Sequence, residues 1–412
     1  MTSGKPSSTA VSPQAWSAIG AMTLCVALLI ASEFMPVSLL TPIAHDLGAS
    51  EGVAGQAIAV SGLFAVLTSL LVSSVFGRMD RRWLLIGLTG TMLLSLLLIA
   101  VAPSFGFLMA ARALLGITIG GFWSLATATI VRLVPEPAVP RALGVLYMGN
   151  ATATAFAAPL GSYVGGLIGW RGVFWALLPL AAVTMAWQWW SLPGMPSNGR
   201  VPASRVLGLV RRPAVGRAVM AVMLTFGGAF AAFTYFRPFL EGRAHATLGE
   251  LSLLLLALGV AGFAGTAAAG AAIGRHLHRL LLGLPLVLGV VTAGLLPAAA
   301  SPWALGVLLF AWGALNAAVP VAWFNWLARS VKDQPEAAGG LMVAAIQLAI
   351  MLGAGLGGLL LDHLSIAATM LGSAALLGMA SVVVGDGRQL GCTAIRDEGD
   401  SPDGAIVGAR GA

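Results

Sequence analysis

Apolar runs of about 20 residues follow one another along the chain, with short polar stretches between them. A run of this length with few charges is what an α-helix needs to cross the hydrocarbon core of a bilayer. The runs do not show the alternation of polar and apolar residues that is typical of half-buried strands. The pattern predicts an all-α membrane protein with twelve spans, at residues 15–40, 52–77, 83–102, 105–131, 142–168, 171–191, 217–240, 249–274, 280–300, 303–328, 338–361 and 365–385.

Composition supports this class of protein. Of 412 residues, 58% are hydrophobic and 9% are charged, whereas a soluble domain carries roughly 25% charged residues. The net charge of +7 could indicate a nucleic-acid partner, but most of the basic residues lie in the polar stretches between spans. Basic residues favour cytoplasmic loops, and here they concentrate in the stretches that a cytoplasmic N-terminus would place inside. We therefore expect no nucleic-acid binding and predict that both termini are cytoplasmic.

The longest internal polar segment divides the chain into two halves. The predicted domains are an N-terminal segment 1–14, a six-helix bundle 15–191, a central cytoplasmic loop 192–216, a second bundle 217–385 and a tail 386–412 that is predicted to be disordered. Three pairs of segments indicate a duplication. EFMP at 33–36 aligns with YFRP at 235–238 at an offset of 202, and two other pairs align at 197 and 196. Such an arrangement predicts parallel repeats with a site between them.

Several motifs carry a family resemblance. SEFMPVSLLTPIAHDLGASEG at 32–52, Arg112 in ARALLGITIGG, and Pro159 followed by glycines and GWRGVF are similar to the motifs of the drug and sugar proton antiporters in the major facilitator superfamily. The resemblance covers residues 15 to about 385. It implies the major facilitator fold, proton antiport by alternating access, and a gating or packing role for Gly116, Gly120, Pro159, Gly161, Gly165 and Gly166. For these glycines, close packing of helices is the simpler explanation.

The loop between the second and third spans departs from that family. The family pattern has its acid before the arginine, whereas this chain reads GRMDRR at 77–82. The acid has moved three residues, so this chain departs from the family at the carboxylate that usually locks the cytoplasmic gate. Asp80, beside Arg81 and Arg82, could replace that carboxylate. Proline kinks that free backbone carbonyls are further gating candidates, at Pro36, Pro238 and Pro320.

A closer resemblance is to the bacterial purine ribonucleoside efflux pumps of the same superfamily. EFMPVSLLTP, DLGASEGVAGQ, RLVPEPAVPRAL, FTYFRP and VPVAWFNW carry it, and they come from both halves. It implies proton-coupled efflux of inosine-like purine ribonucleosides and their analogues across the bacterial inner membrane, by a monomer without a cofactor. A drug or sugar proton antiporter of the same superfamily is the alternative.

Glu33 and Arg112 are opposite charges inside apolar spans. Glu33 precedes the end of its span at Leu40 by seven residues, and Arg112 follows the start of its span at Phe105 by seven, so both lie about 10 Å below the outer surface. Mutual pairing would offset the cost of burial. The pair could be purely structural. It could also serve proton coupling, because desolvation raises the pKa of a carboxylate and a nearby guanidinium lowers it. We favour this second interpretation.

A nucleoside would need an aromatic face and amide groups near the middle of the membrane. Residues of these types in the spans are the candidates for substrate binding, with a structural role as the alternative for each: Phe122, Trp123, Asn150, Tyr235, Asn316, Trp323, Asn325 and Gln347. No acid other than Glu33 lies well inside a span, which favours a neutral cargo.

Other classes of protein lack their motifs here. The chain has no GxxxxGK[ST], HExxH or CxxC, so the sequence supports neither ATP-driven transport nor a metal site. An enzyme is therefore a poor alternative. A channel or a substrate-sensing receptor would differ from an antiporter in ignoring the proton gradient or in moving no substrate.

Overall fold

A computed structural model describes residues 11–196, 206, 208–331, 333–385 and 390 of the chain. Within those ranges the chain is helical apart from short connections, and the helices are α1 Pro13–Ser38, α2 Leu40–Asp46, α3 Glu51–Val75, α4 Arg81–Ala100, α5 Phe105–Leu133, α6 Val139–Ser191, α7 Pro213–Phe233, α8 Phe236–Gly242, α9 Leu248–Ala298, α10 Pro302–Ser330, α11 Pro335–His363 and α12 Ile366–Val384. The prediction of an all-α membrane protein is confirmed.

Two long helices each contain two predicted spans. In α6 the chain turns at Gly169, where φ is 76° and ψ is 161°, a conformation that residues with a Cβ rarely adopt. In α9 the helix is irregular at His276. Among the described residues, eleven segments are long and apolar enough to cross a membrane, with 136–191 counted once. Division of that segment at Gly169 yields the twelve predicted spans.

The first span of each half ends in the same way. After α1 the chain breaks at Leu39 and continues as the seven-residue α2, and after α7 it breaks before the seven-residue α8. Pro42 is the third residue of α2, and Pro238 is the third residue of α8. These prolines are 196 positions apart, which agrees with the other repeated segments. The alignment of Glu33 with Tyr235 at 202 was therefore wrong, because Tyr235 corresponds to the break at Leu39.

Two large hydrophobic clusters form most of the core. One consists of buried residues between 15 and 195, and the other consists mainly of residues between 209 and 390. Val37, Ile58 and Ala158 of the N-terminal part pack into the second cluster, while α3 packs along α11 and α6 along α9. The interface between these pairs of helices therefore runs through the centre of the molecule.

Several predicted segments lie partly outside the described residues: 1–10 of the N-terminal segment, 197–205 and 207 of the central loop, and the tail apart from Leu390. The Leu390 carbonyl accepts a hydrogen bond from Trp326 Nε1 at 3.1 Å. The predicted domain boundaries remain predictions.

Candidate functional site

Arg112 is buried against the backbones of two other helices. The residue is 1% exposed, and its guanidinium donates to the carbonyl of Ser32 at 2.8 Å, of Ala57 at 3.1 Å and of Glu33 at 3.4 Å. The Ser32 carbonyl would normally accept from the N–H of the residue four positions later. That residue is Pro36, which has no N–H. Arg112 therefore supplies the donor that Pro36 cannot supply.

The carboxylate of Glu33 makes a different contact. The residue is 4% exposed, and Oε1 accepts from Nε2 of Gln347 on α11 at 3.4 Å, a long hydrogen bond. The predicted salt bridge with Arg112 does not form in this structure: in the described residues, the ion pairs within 4 Å are Arg171–Asp46, Arg212–Asp333 and Arg237–Glu241. Arg112 holds the backbone of α1, and the carboxylate reaches across to the second half.

An aromatic cluster lies beside Glu33. Phe34 is half-buried, packs against both hydrophobic clusters, and has its ring centroid 5.7 Å from Phe230 and 5.9 Å from Phe233. Phe233 stacks on Trp312 at 5.9 Å and an interplanar angle of 9°. Sequence reasoning missed this cluster. The helical spacing of Phe230 and Phe233, and the position of Phe34 next to the intramembrane acid, were the available signals.

Four of the predicted substrate residues already have structural roles. Phe122 and Trp323 are 0% and 1% exposed and lie in the two hydrophobic clusters. Asn325 donates from Nδ2 to the Val321 carbonyl of its own helix at 2.9 Å. Tyr235 is fully buried, and its hydroxyl donates to the Ala354 carbonyl at 2.8 Å. These side chains already have partners, so their roles in substrate binding stay predictions that would require rearrangement.

The other predicted substrate residues are more accessible. Trp123 is half-buried and stacks on Tyr147 at 5.8 Å, and Gln347 contacts Glu33 as described above. Asn150 and Asn316 are half-buried, and the described residues offer neither carboxamide a hydrogen-bond partner. The structure therefore leaves these two amides available to another molecule.

At one end of the bundle, hydrogen bonds join the two halves. We call Ser50, Gly52, Tyr235 and Asp362 the closing junction. Asp362 on α11 accepts from the N–H of Gly52 at 3.0 Å and from the Ser50 hydroxyl at 2.5 Å, at the start of α3. The Tyr235 hydroxyl lies 3.4 Å from the Gly52 carbonyl, and Arg237 donates to the carbonyl that ends α1. A helix N-terminus favours a negative charge, so Asp362 stabilises this end of α3.

At the opposite end, the described polar contacts stay within each half. Asp80 caps α4 by accepting from the N–H of Arg82 at 2.8 Å, and it also accepts from the N–H of Met195 at 2.9 Å. In the second half, Arg212 forms a two-point pair with Asp333, and this guanidinium lowers the pKa of Asp333 to about 2. The lock between halves predicted for Asp80 is therefore not formed in this structure.

The neighbouring basic residues act locally as well. Arg82 donates to the Trp189 carbonyl at 2.6 Å, and the Arg81 N–H donates to the Met195 carbonyl at 3.1 Å. These contacts fasten the loop before α4 to the end of α6. A gating role for Asp80, Arg81 and Arg82 stays a prediction.

The predicted glycines lie where helices approach closely. A Cβ at Gly116 or Gly120 of α5 would overlap carbonyl oxygens of α3, and one at Gly166 would overlap Leu248 of the second half. Gly161 and Gly165 face Ser38 and Leu39, at the end of α1. Close packing of helices accounts for all five glycines. Of the prolines predicted to have a gating role, Pro159 lies inside α6 and Pro320 inside α10.

The fold and this site together define a class of protein. Two helical parts meet at a buried acid, and in the described residues hydrogen bonds join them at this acid and at one end of the bundle. This is the arrangement of a multi-pass membrane transporter.

Comparison with known proteins gives the family. Residues 22–339 match the Major Facilitator Superfamily, and the chain belongs to it. The transcription regulatory protein OpdE of Pseudomonas aeruginosa is 48% identical over 370 residues, 89% of this chain and 92% of that protein. The purine ribonucleoside efflux pump NepI of Salmonella paratyphi B is 39% identical over 369 residues, 90% of this chain and 93% of that protein.

Solved structures share the fold. A D-xylose–proton symporter superposes with a TM-score of 0.72 at 14% identity, over 90% of this chain and 97% of that chain. A bacterial homologue of the lysosomal transporter Spinster, in an inward-facing and unoccupied conformation, gives a TM-score of 0.68 at 16% identity, over 91% and 97%. At these identities the likeness concerns the fold alone.

Proposed function

We propose that the protein exports inosine-like purine ribonucleosides in exchange for protons, by alternating access, across the bacterial inner membrane. The observation that carries the proposal is the contact of the buried Glu33 carboxylate with Gln347 of the other half at 3.4 Å. We take the transporter to be a monomer. The distribution of basic residues predicts that both of its termini lie in the cytoplasm.

The position of Glu33 supports its role as the proton carrier. Arg112 fixes the carbonyls on either side of the Glu33 Cα to the N-terminal half, whereas the carboxylate contacts the C-terminal half. Movement of one half relative to the other would therefore change the hydrogen bonding and the hydration of the carboxylate. Both factors govern the proton affinity of a carboxylate, so protonation and movement would be coupled.

The ends of the bundle support alternating access. The closing junction ties the halves together at one end, while Asp80 and Asp333 bond within their own halves at the other. The predicted orientation places the closing junction on the outer side. The protein would then be in a state that opens to the cytoplasm, from which an exporter takes its cargo.

The choice of cargo rests on similarity and on charge. The name of NepI describes purine ribonucleoside efflux, and that relative matches both halves of this chain. Glu33 is the only acid well inside a predicted span, and it already has a partner, so a lipophilic cation would find no free acid. A neutral nucleoside needs amides and an aromatic face, and both lie near Glu33.

The test is uptake of labelled inosine into inverted vesicles with and without a proton gradient, beside a sugar and a cationic dye. We expect inosine uptake that depends on the gradient. Glu33→Gln should abolish gradient-driven uptake but keep exchange of inosine, and Glu136→Gln, an exposed acid in a loop, is the matched control. Dye or sugar uptake without inosine uptake would favour the drug or sugar antiporter. Inosine binding without any transport would favour a sensor, a role closer to the one that the name of OpdE describes.

A further inference from the structure

In the aromatic cluster beside Glu33, one ring is more accessible than the others. Phe230 and Phe233 are 6% and 8% exposed, and Phe236 and Trp312 are fully buried. Phe34 is the one ring of this cluster that is half-buried rather than buried, and it is the only one that comes from the N-terminal half. A planar molecule at the interface would therefore meet Phe34, with the buried rings behind it.

The buried rings fix the position of Phe34. Phe233 meets Phe34 edge to face at 89°, and it stacks on Trp312, whose Nε1 donates to the Thr292 hydroxyl at 3.0 Å. A ring held in this way loses little conformational entropy when a ligand stacks on it. Removal of an aromatic side chain on which a base stacks typically weakens binding by on the order of tenfold.

An amide without a partner lies one helical turn from the cluster. Asn316 follows Trp312 by four residues on α10, so the two side chains share a helix face about 6 Å apart along the axis. Asn316 is half-buried and has no hydrogen-bond partner among the described residues, whereas Asn325 on the same helix bonds to its own backbone. A half-buried amide of this kind has a donor and an acceptor free to bond to a ligand.

We propose that Phe34 is the stacking platform for the purine base, that Phe233 and Trp312 hold it in place, and that Asn316 bonds to the polar edge of the base. This inference rests on the proposed function and assigns the part of the site that reads the base. It places recognition of the base next to the coupling acid, because Glu33 and Phe34 are consecutive residues of α1. The Trp123–Tyr147 pair lies entirely within the N-terminal half and has no such connection.

The experiment measures equilibrium binding to the purified protein in detergent, with labelled inosine and with purine riboside, which has the same ring system but no oxygen on the six-membered ring. Phe34→Leu should weaken the binding of both by on the order of tenfold, since both present the same aromatic face. Phe34→Tyr should retain binding within about twofold, which separates loss of the ring from loss of folding. Asn316→Leu, or Asn316→Ser if the leucine variant does not fold, should weaken inosine by about fivefold or more and purine riboside much less.

The matched control is Phe310→Leu, which removes an exposed ring from α10 two residues before Trp312. It should leave both dissociation constants unchanged. If Phe34→Leu binds like the wild type, or if Asn316→Leu weakens both compounds equally, this inference is overturned while the proposed function stands. If the wild type binds neither compound, both are overturned.

Discussion

The contact of Arg112 with the Ser32 carbonyl leads to a quantitative prediction about Pro36. Arg112→Lys keeps the positive charge but replaces a planar group that reaches three carbonyls with a single ammonium. Ala57 and Glu33 keep helical donors four residues later, at Ser61 and Val37, whereas Ser32 has only Arg112. A buried carbonyl without a donor costs about 1 to 3 kcal/mol, so most of the lost stability should arise at Ser32.

Pro36→Ala returns an N–H to the position that faces the Ser32 carbonyl. In that background the helix can bond to Ser32 by itself, and Arg112→Lys should destabilise the protein by about 1 to 2 kcal/mol less than it does in the wild type. The measurement is the free energy of unfolding in mixed micelles for the four proteins of the double-mutant cycle.

Pro320→Ala is the control for this cycle. Pro320 interrupts α10 in the other half, so its substitution should be additive with Arg112→Lys within about 0.5 kcal/mol. Equal costs of Arg112→Lys in the wild type and in Pro36→Ala would refute the reasoning, because they would show that Arg112 does not replace the missing N–H.

Two further predictions concern the contacts between helices. Asp362→Asn replaces the charged acceptor of the Gly52 N–H with a neutral one, which should weaken the hydrogen bond between the halves. A cysteine introduced just before α3 should then react faster with a membrane-impermeant maleimide. An unchanged rate would mean that this bond does not hold the end closed. Gly120→Val places a Cβ against the Ala65 carbonyl and should lower the melting temperature by several degrees. The control is Gly144→Val, where the added Cβ meets open space and should not lower it. Similar melting temperatures for the two variants would contradict the close packing of α5 on α3.

The consequences of Glu33→Gln differ in kind from these effects. Substitution at Arg112 or Gly120 should reduce the amount of folded protein, because it removes contacts that hold helices together. Glu33→Gln keeps the size of the side chain and an oxygen that can accept from Gln347. It should therefore leave the amount of protein unchanged and affect only coupling to the proton gradient.

The sequence by itself determined the class, the spans and the position of the two intramembrane charges. A bilayer imposes this directly, because each span must be apolar for about 20 residues and a charge inside a span is costly enough to stand out. The duplication was also visible in the sequence. Its offset at the first spans was misread, because the EFMP and YFRP match was more conspicuous than the correspondence of Pro42 with Pro238.

Only the tertiary structure decided which groups meet. The sequence predicted that Arg112 would bond to the Glu33 carboxylate, but the guanidinium bonds to carbonyls and the carboxylate to Gln347. Every residue has a carbonyl, so a pattern of side chains does not indicate which carbonyl receives an arginine. Apolar spans also lack a polar face that would show which side meets another helix, and this is why the cluster around Phe34 was missed. The contacts between the halves join residues that are about 200 to 300 positions apart, and only the packing of the helices brings them together.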